Sequence, residues 1–132
     1  MDEAARARGL KKMHELLGEE MTQNALAYMG EFDQGFADLI LEVAFGTVWS
    51  RPGLPTQTRS MITIAALTAL GRAAELNGHI RGALRVGVKP EEIKEIIIHL
   101  SQYAGIPASV EAMHIFKEVT KAGHGEAAKS MK

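Results

Sequence analysis

Met61–Leu70 reads MITIAALTAL: ten residues with no charge and only two hydroxyls to interrupt an apolar run. Leu, Met and Ala favour helix. A helix apolar on every side belongs at the centre of a bundle, so this stretch predicts an all-α core. Gly71 is the expected breaker. Beyond it a helix is predicted over 73–86, with Leu76, Ile80, Ala83 and Leu84 facing inward and Gly87 in the glycine position just past its end. Pro90 suits a first helical position, and Glu91 and Glu92 suit the positive end of the helix dipole. Ile93, Ile96, Ile97 and Leu100 form the stripe of that helix, which Gly105 ends. Pro107 opens a last helix carrying Val110, Met113, Phe116 and Val119, with Gly123 as its stop and GHGEAAKSMK as a frayed tail.

The N-terminal side keeps the same rhythm. Leu10, Met13, Leu16 and Leu17 give residues 3–17 a helical period, with Gly18 as stop, and a short helix is predicted over 21–29. Phe32, Phe36, Leu39, Ile40 and Val43 read as one face of an amphipathic helix ending near Gly46. Pro52, Gly53 and Pro55 forbid a helix through the next turn, and Thr56 or Thr58 is placed to cap the helix after it. No strand pattern, internal repeat or low-complexity linker is visible, and the short connections predict antiparallel neighbours. The expected architecture is one all-α domain of about six helices over 1–132. It divides into a helical extension (1–30), a core (31–122) and the tail (123–132).

Composition narrows the function. A chain of 132 residues can bury roughly two thirds of its unfolded surface, enough for one core. Fifteen Lys and Arg against 16 Asp and Glu leave no basic face for nucleic acid. Zero cysteines exclude disulfides, thiolate metal sites and thiol chemistry. No apolar run approaches the roughly 20 residues of a membrane span, and MDEAARARGL lacks a signal-peptide core. A cytoplasmic protein without membrane or nucleic-acid partners is expected.

The chemistry-bearing residues cluster around VWSRPGLPTQTRS (48–60) and the helix after the apolar one. Glu75 and His79, spaced i, i+4, share a helix face with Arg72 and Gly82. A carboxylate beside an imidazole can orient it and raise its pKa, making an acid–base unit; the alternative is a surface ion pair of a few tenths of a kcal/mol. Arg51 and Arg59 can each fork onto a carboxylate. Arg59 falls in a first helical turn, where a cation opposes the dipole, so it has either an anion to hold or an acid such as Glu42 or Asp38 to pair with. Trp49 packs the turn or lines a pocket. Tyr103 is either a pocket hydroxyl or a core ring with a wet tip. His99, among isoleucines, reads as a core or interface histidine, with a second site role as the alternative. His14, His114 and His124 read as solvent-facing or local contacts. No metal-ligand spacing is convincing, Glu111–His114 being a lone pair, and there is no phosphate loop or nucleophile elbow.

The segments FGTVWSRPGL, TRSMITIAALTALG and ELNGHIRGALRVGVKPEEIKEIIIHLSQYAGIPAS, with the helix after them, resemble the carboxymuconolactone decarboxylase family over about residues 32–119. The resemblance implies an alkylhydroperoxidase-like helical fold assembling as a homo-oligomer, a homohexamer or homotrimer. The peroxidase branch of that fold carries a Cys-x-x-Cys pair at the positions of Arg72 and Glu75, with a histidine at the position of His79. The absence of the thiols points to the decarboxylase branch. The implied reaction is cofactor-free loss of CO2 from a small carboxylated lactone, 4-carboxymuconolactone, giving the 3-oxoadipate enol-lactone. The implied roles are His79 as proton donor oriented by Glu75, Arg51 and Arg59 as carboxylate and enolate holders, and Trp49 and Tyr103 as pocket walls, with no metal. The alternatives are a related enzyme on another small carboxylated substrate, or a non-catalytic oligomeric binding protein.

Overall fold

The computed structural model describes the backbone of residues 2–130 and the side chains of residues 2–121. Seven α-helices succeed one another in chain order: α1 Glu3–Leu17, α2 Glu19–Phe32, α3 Gln34–Leu39, α4 Thr56–Leu70, α5 Ala73–Arg85, α6 Pro90–Leu100 and α7 Ile106–Ser130. A wide π-helical stretch, Ile40–Val48, prolongs α3. No strand occurs among the described residues, so the all-α expectation holds, with one helix more than predicted. The chain forms two compact units, Met1–Arg59 and Ser60–Lys132.

In Met1–Arg59, Asp2 caps α1 by accepting from the N–H groups of Ala4 and Ala5 at 3.0 and 3.2 Å. Gly18, at φ 81°, ends α1 as expected and donates its N–H to the His14 carbonyl. Thr22 Oγ1 bonds the Gly18 carbonyl at 2.7 Å across the joint, and α2 runs longer than the predicted 21–29. α1 packs on the π-helical stretch through two glycines. A Cβ on Gly9 would meet the Leu41 carbonyl oxygen, and one on Gly46 would meet that of Ala5. Only hydrogen lets the backbones come this close. Around this crossing Ala5, Met13, Leu16, Ala37 and Leu41 are buried. Gly46 is therefore a packing residue rather than a terminus, and the helix continues two residues beyond it to Val48.

The predicted apolar face is corrected here. Phe32 closes α2, and Phe32, Phe36, Leu39 and Val43 are all exposed, whereas Ala37, Leu41 and Gly46 face the core. Small residues were selected at the crossing, so the larger apolar ones fall on the outside. Tyr28 joins them, its ring edge-to-face with Phe32 at 5.1 Å. Leu10 is also exposed rather than inward.

In Ser60–Lys132 the core is Ile64, Leu76, Ile80, Ala83, Val88, Ile93, Ile97, Ala112, Ile115, Phe116 and Val119. Each fully buried Ile or Leu contributes about 2 kcal/mol of apolar transfer. Ser109 Oγ donates to the Ile97 carbonyl at 2.8 Å, joining α6 to α7. Gly71, Gly87 and Gly105 adopt positive φ at the predicted helix ends. Lys89 N–H bonds Glu92 Oε1 at 2.9 Å ahead of Pro90, so this first-turn acid caps the helix as well as meeting its dipole.

Three expectations fail. α4 is not enclosed all round: Ser60, Ile64 and Thr68 are buried, but Ile62 and Leu70 are exposed. Its lack of charge misled, since Ala and Thr carry no strong preference for either side. Val110 is exposed on α7. That helix also passes through Gly123 to Ser130, since one glycine costs only about 1 kcal/mol in a helix. Side chains of the expected tail, with His124, lie outside the described residues.

Candidate active site

In Met1–Arg59, the predicted anion-holding residues sit on a turn that the wide helical stretch delivers. Trp49 N–H reaches back five residues to the Ala44 carbonyl at 2.9 Å, and Ser50 Oγ bonds the Phe45 carbonyl at 2.6 Å. The Trp49 ring stacks on Phe45 at 5.9 Å. The cap of α4 falls on Pro55, whose carbonyl receives Arg59 N–H at 3.1 Å, rather than on Thr56 or Thr58. Thr56 is the first helical residue, and its hydroxyl accepts from Lys12 Nζ at 2.7 Å. Arg59 resolves its conflict with the dipole by turning back: Nη2 donates to the Arg51 carbonyl at 3.1 Å. Asp38, considered as its acid partner, pairs with Arg6 at 3.2 Å. Arg59 is thus half-buried against the turn, while Arg51 is exposed. The structure brings Arg59, in the first turn of α4, back against the turn that carries Arg51, with Trp49 at its start.

In Ser60–Lys132, α5 carries Glu75 in its first turn and His79 one turn on. Glu75 is exposed and His79 half-buried. Burial pushes the His79 pKa below its ordinary value, against the upward pull of the Glu75 carboxylate. The prediction of a raised pKa is therefore corrected in sign: desolvation outweighs the single exposed charge. Arg72 occupies the cap position of α5, and Gly82 is buried in the packing rather than open to a ligand. Next to His79, the side-chain position of Gly78 faces open space.

Tyr103 lies in the turn after α6, 79% exposed, its ring 5.2 Å from that of His99. His99 is exposed, which corrects its reading as a core histidine: Ile93 and Ile97 take the inward positions. Among the described residues no three His, Asp or Glu side chains converge on a metal position, and no helix is long and apolar enough to cross a membrane.

Each unit also carries a cleft among its described residues. One, of about 290 Å³, is apolar and runs between α6 and α7 past Ile98, Ile106, Val110 and Met113. The other, of about 200 Å³, is lined by Arg8, Lys11, Lys12, Glu15 and Ser50. Sequence reasoning passed over its cations, although positions 8, 11, 12 and 15 share a helix face by spacing alone.

Among known proteins, a family model described as the carboxymuconolactone decarboxylase family matches residues 34–118. A 4-carboxymuconolactone decarboxylase of Acinetobacter baylyi is 48% identical over 120 residues, 91% of this chain and 90% of that protein. A nitrosuccinic acid decarboxylase of Metarhizium robertsii is 40% identical over 105 residues, 80% of this chain and 73% of that one. An uncharacterised 15.0 kDa protein of Paracoccus denitrificans is 39% identical over 82 residues, 61% of each chain. The family model spans well over half of the chain and the first relative is 48% identical across nine tenths of it: the chain belongs to the carboxymuconolactone decarboxylase family.

Proposed function

We propose that this protein is a cofactor-free carboxy-lyase that converts 4-carboxymuconolactone to the 3-oxoadipate enol-lactone and CO2. The observation that carries the reading is the 48% identity to a decarboxylase of that name across nine tenths of both chains. Two of the relatives are named decarboxylases of small carboxylated acids.

The chemistry asks little of a protein. As the bond to the departing carboxylate breaks, its electron pair moves through the ring alkene to the lactone carbonyl, which becomes an enolate. A proton then closes the ring carbon. A dianion becomes a monoanion plus CO2, so each turnover takes one proton from solvent. Glu75 orients His79, and His79 delivers that proton. Burial disfavours the charged imidazole in the free chain, and an arriving dianion favours it, since a nearby negative charge raises an imidazole pKa. Arg51 and Arg59 hold the retained carboxylate and the enolate oxygen. Trp49 and Tyr103 supply walls.

The exposed rings and aliphatics Tyr28, Phe32, Phe36, Leu39 and Val43 favour self-association, and a homohexamer or homotrimer goes with this reading. Light scattering should give a multiple of 14.3 kDa. A cytoplasmic location goes with this reading.

The test is proton NMR in D2O of 4-carboxymuconolactone with the wild type and with His79→Ala. Ring-deuterated enol-lactone from the wild type, lost in the variant, is the expected result. Untouched lactone with the wild type would remove the named reaction.

A further inference from the structure

We propose that the N-terminal helix completes the carboxylate subsite: the cleft lined by Arg8, Lys11, Lys12 and Ser50 joins Arg51, the next residue along the chain, in holding the acetate arm of the substrate, the carboxylate that is not lost. The identity of the ligand rests on the function proposed above; the cleft itself does not.

Three cations face one carboxylate, Glu15, in this cleft. Arg8 is held by a neutral acceptor, which fixes the side chain without cancelling its charge, and Lys12 by one neutral and one charged partner. Arg8 Nε donates to the Gly46 carbonyl at 3.1 Å, and Lys12 Nζ to Thr56 Oγ1 at 2.7 Å. Lys12 also touches Glu15 at 3.2 Å, and its side chain is only 16% exposed. A lysine immobilised and partly desolvated in this way has already lost much of the rotamer freedom that binding would otherwise cost. Ser50, in the cleft wall, directly precedes Arg51. The turn that bears Arg51 therefore also bounds a second cationic surface contributed by α1. At about 200 Å³ the cleft is smaller than the roughly 300–1,000 Å³ of whole small-molecule pockets. It suits a carboxylate arm, not an entire lactone.

The reaction decides which carboxylate the cleft takes. Decarboxylation is slowed by any cation that stabilises the departing carboxylate in the ground state, and a poorly solvated leaving group favours it. A cleft with three cations is therefore wrong for the group that leaves and right for the group that stays. The acetate keeps its charge from substrate to product. Its contacts are equal in ground and transition states, so they set KM and leave kcat alone.

The experiment uses full-length Lys12→Met and Lys11→Met, each first checked for wild-type circular dichroism. Steady-state kinetics on the lactone are measured, together with calorimetric titration of glutarate, an unreactive dicarboxylate. The expected result is a KM raised about tenfold in Lys12→Met, less in the exposed Lys11→Met, with kcat within about twofold of wild type and glutarate binding weakened in parallel. Unchanged KM in both variants would overturn the inference, even if glutarate binding fell. So would a loss confined to kcat. Should the wild type not turn over the lactone, glutarate binding that is weakened in the variants would keep the carboxylate subsite while the proposed substrate fell. Glutarate binding that is absent or indifferent to both substitutions would end the subsite as well.

Discussion

Replacing Gly46 by alanine sets two effects of opposite sign against each other. A helix gains up to about 1 kcal/mol from Gly→Ala by intrinsic propensity. Here, however, the added Cβ falls against the Ala5 carbonyl oxygen, with the Ala5 carbonyl carbon and the Leu41 carbonyl oxygen close behind. All three are backbone atoms, so no side chain can swing away. α1 must lift from the Ile40–Val48 stretch by something like 0.5–1 Å, which forfeits a quarter to a half of the dispersion well at every contact along the seam. Ala5, Met13, Leu16 and Leu41 all lie on that seam. Overpacking of this kind costs about 3 kcal/mol. The net loss is then about 2 kcal/mol, or about 8 °C in Tm for a chain of this size. The lift also moves Arg8, whose Nε is bonded to the Gly46 carbonyl, so KM should rise with little change in kcat. Thermal unfolding by circular dichroism reads the first effect and steady-state kinetics the second. Gly9→Ala strains the same seam from the other side, so the double variant should lose less than the two single losses added. A Gly46→Ala protein with a Tm equal to or above wild type would mean that propensity had won and that the close crossing is not there.

Glu75→Gln removes the charge that raises the His79 pKa and leaves the burial that lowers it. The fall of kcat/KM with rising pH should therefore begin at lower pH than in wild type, and a profile that does not move would separate Glu75 from the catalytic proton. His79 also makes stability pH-dependent. Its folded pKa lies below the unfolded value of about 6.5, so as pH falls through that value the unfolded chain takes up the proton first and stability is lost. His79→Gln should flatten that part of the loss in chemical denaturation measured from about pH 7.5 down to 5.5, and an unchanged slope would refute the burial argument. Thr68 Oγ1 is buried with no hydrogen-bond partner among the described residues. Thr68→Val should raise stability by about 1 kcal/mol, and a Tm lowered by several degrees would show that the hydroxyl is satisfied.

The helices, their glycine ends and the aliphatic core of residues 60–119 were legible in the chain because they rest on local rules. A 3.6-residue period, a proline at a first turn and a glycine at positive φ each act within a few residues. The i, i+4 pairing of Glu75 with His79 is equally local. What the chain could not disclose is how crowded each surface becomes once helices meet. Phe36, Leu39 and Val43 have the right period for a core face, yet the crossing of Gly9 with Gly46 turns that face outward, because backbone contact at two glycines excludes large side chains. The direction of the His79 shift depends on burial, which no spacing reveals. The cleft of Arg8, Lys11 and Lys12 faces Ser50 only because α1 docks on a stretch some forty residues away in the chain. Sequence alone determined the helices, the absence of thiol chemistry and the family. Tertiary packing decided which faces are dry, which form of the imidazole is held and where the cations converge, since desolvation and convergence belong to groups that are distant in the chain and meet only on folding.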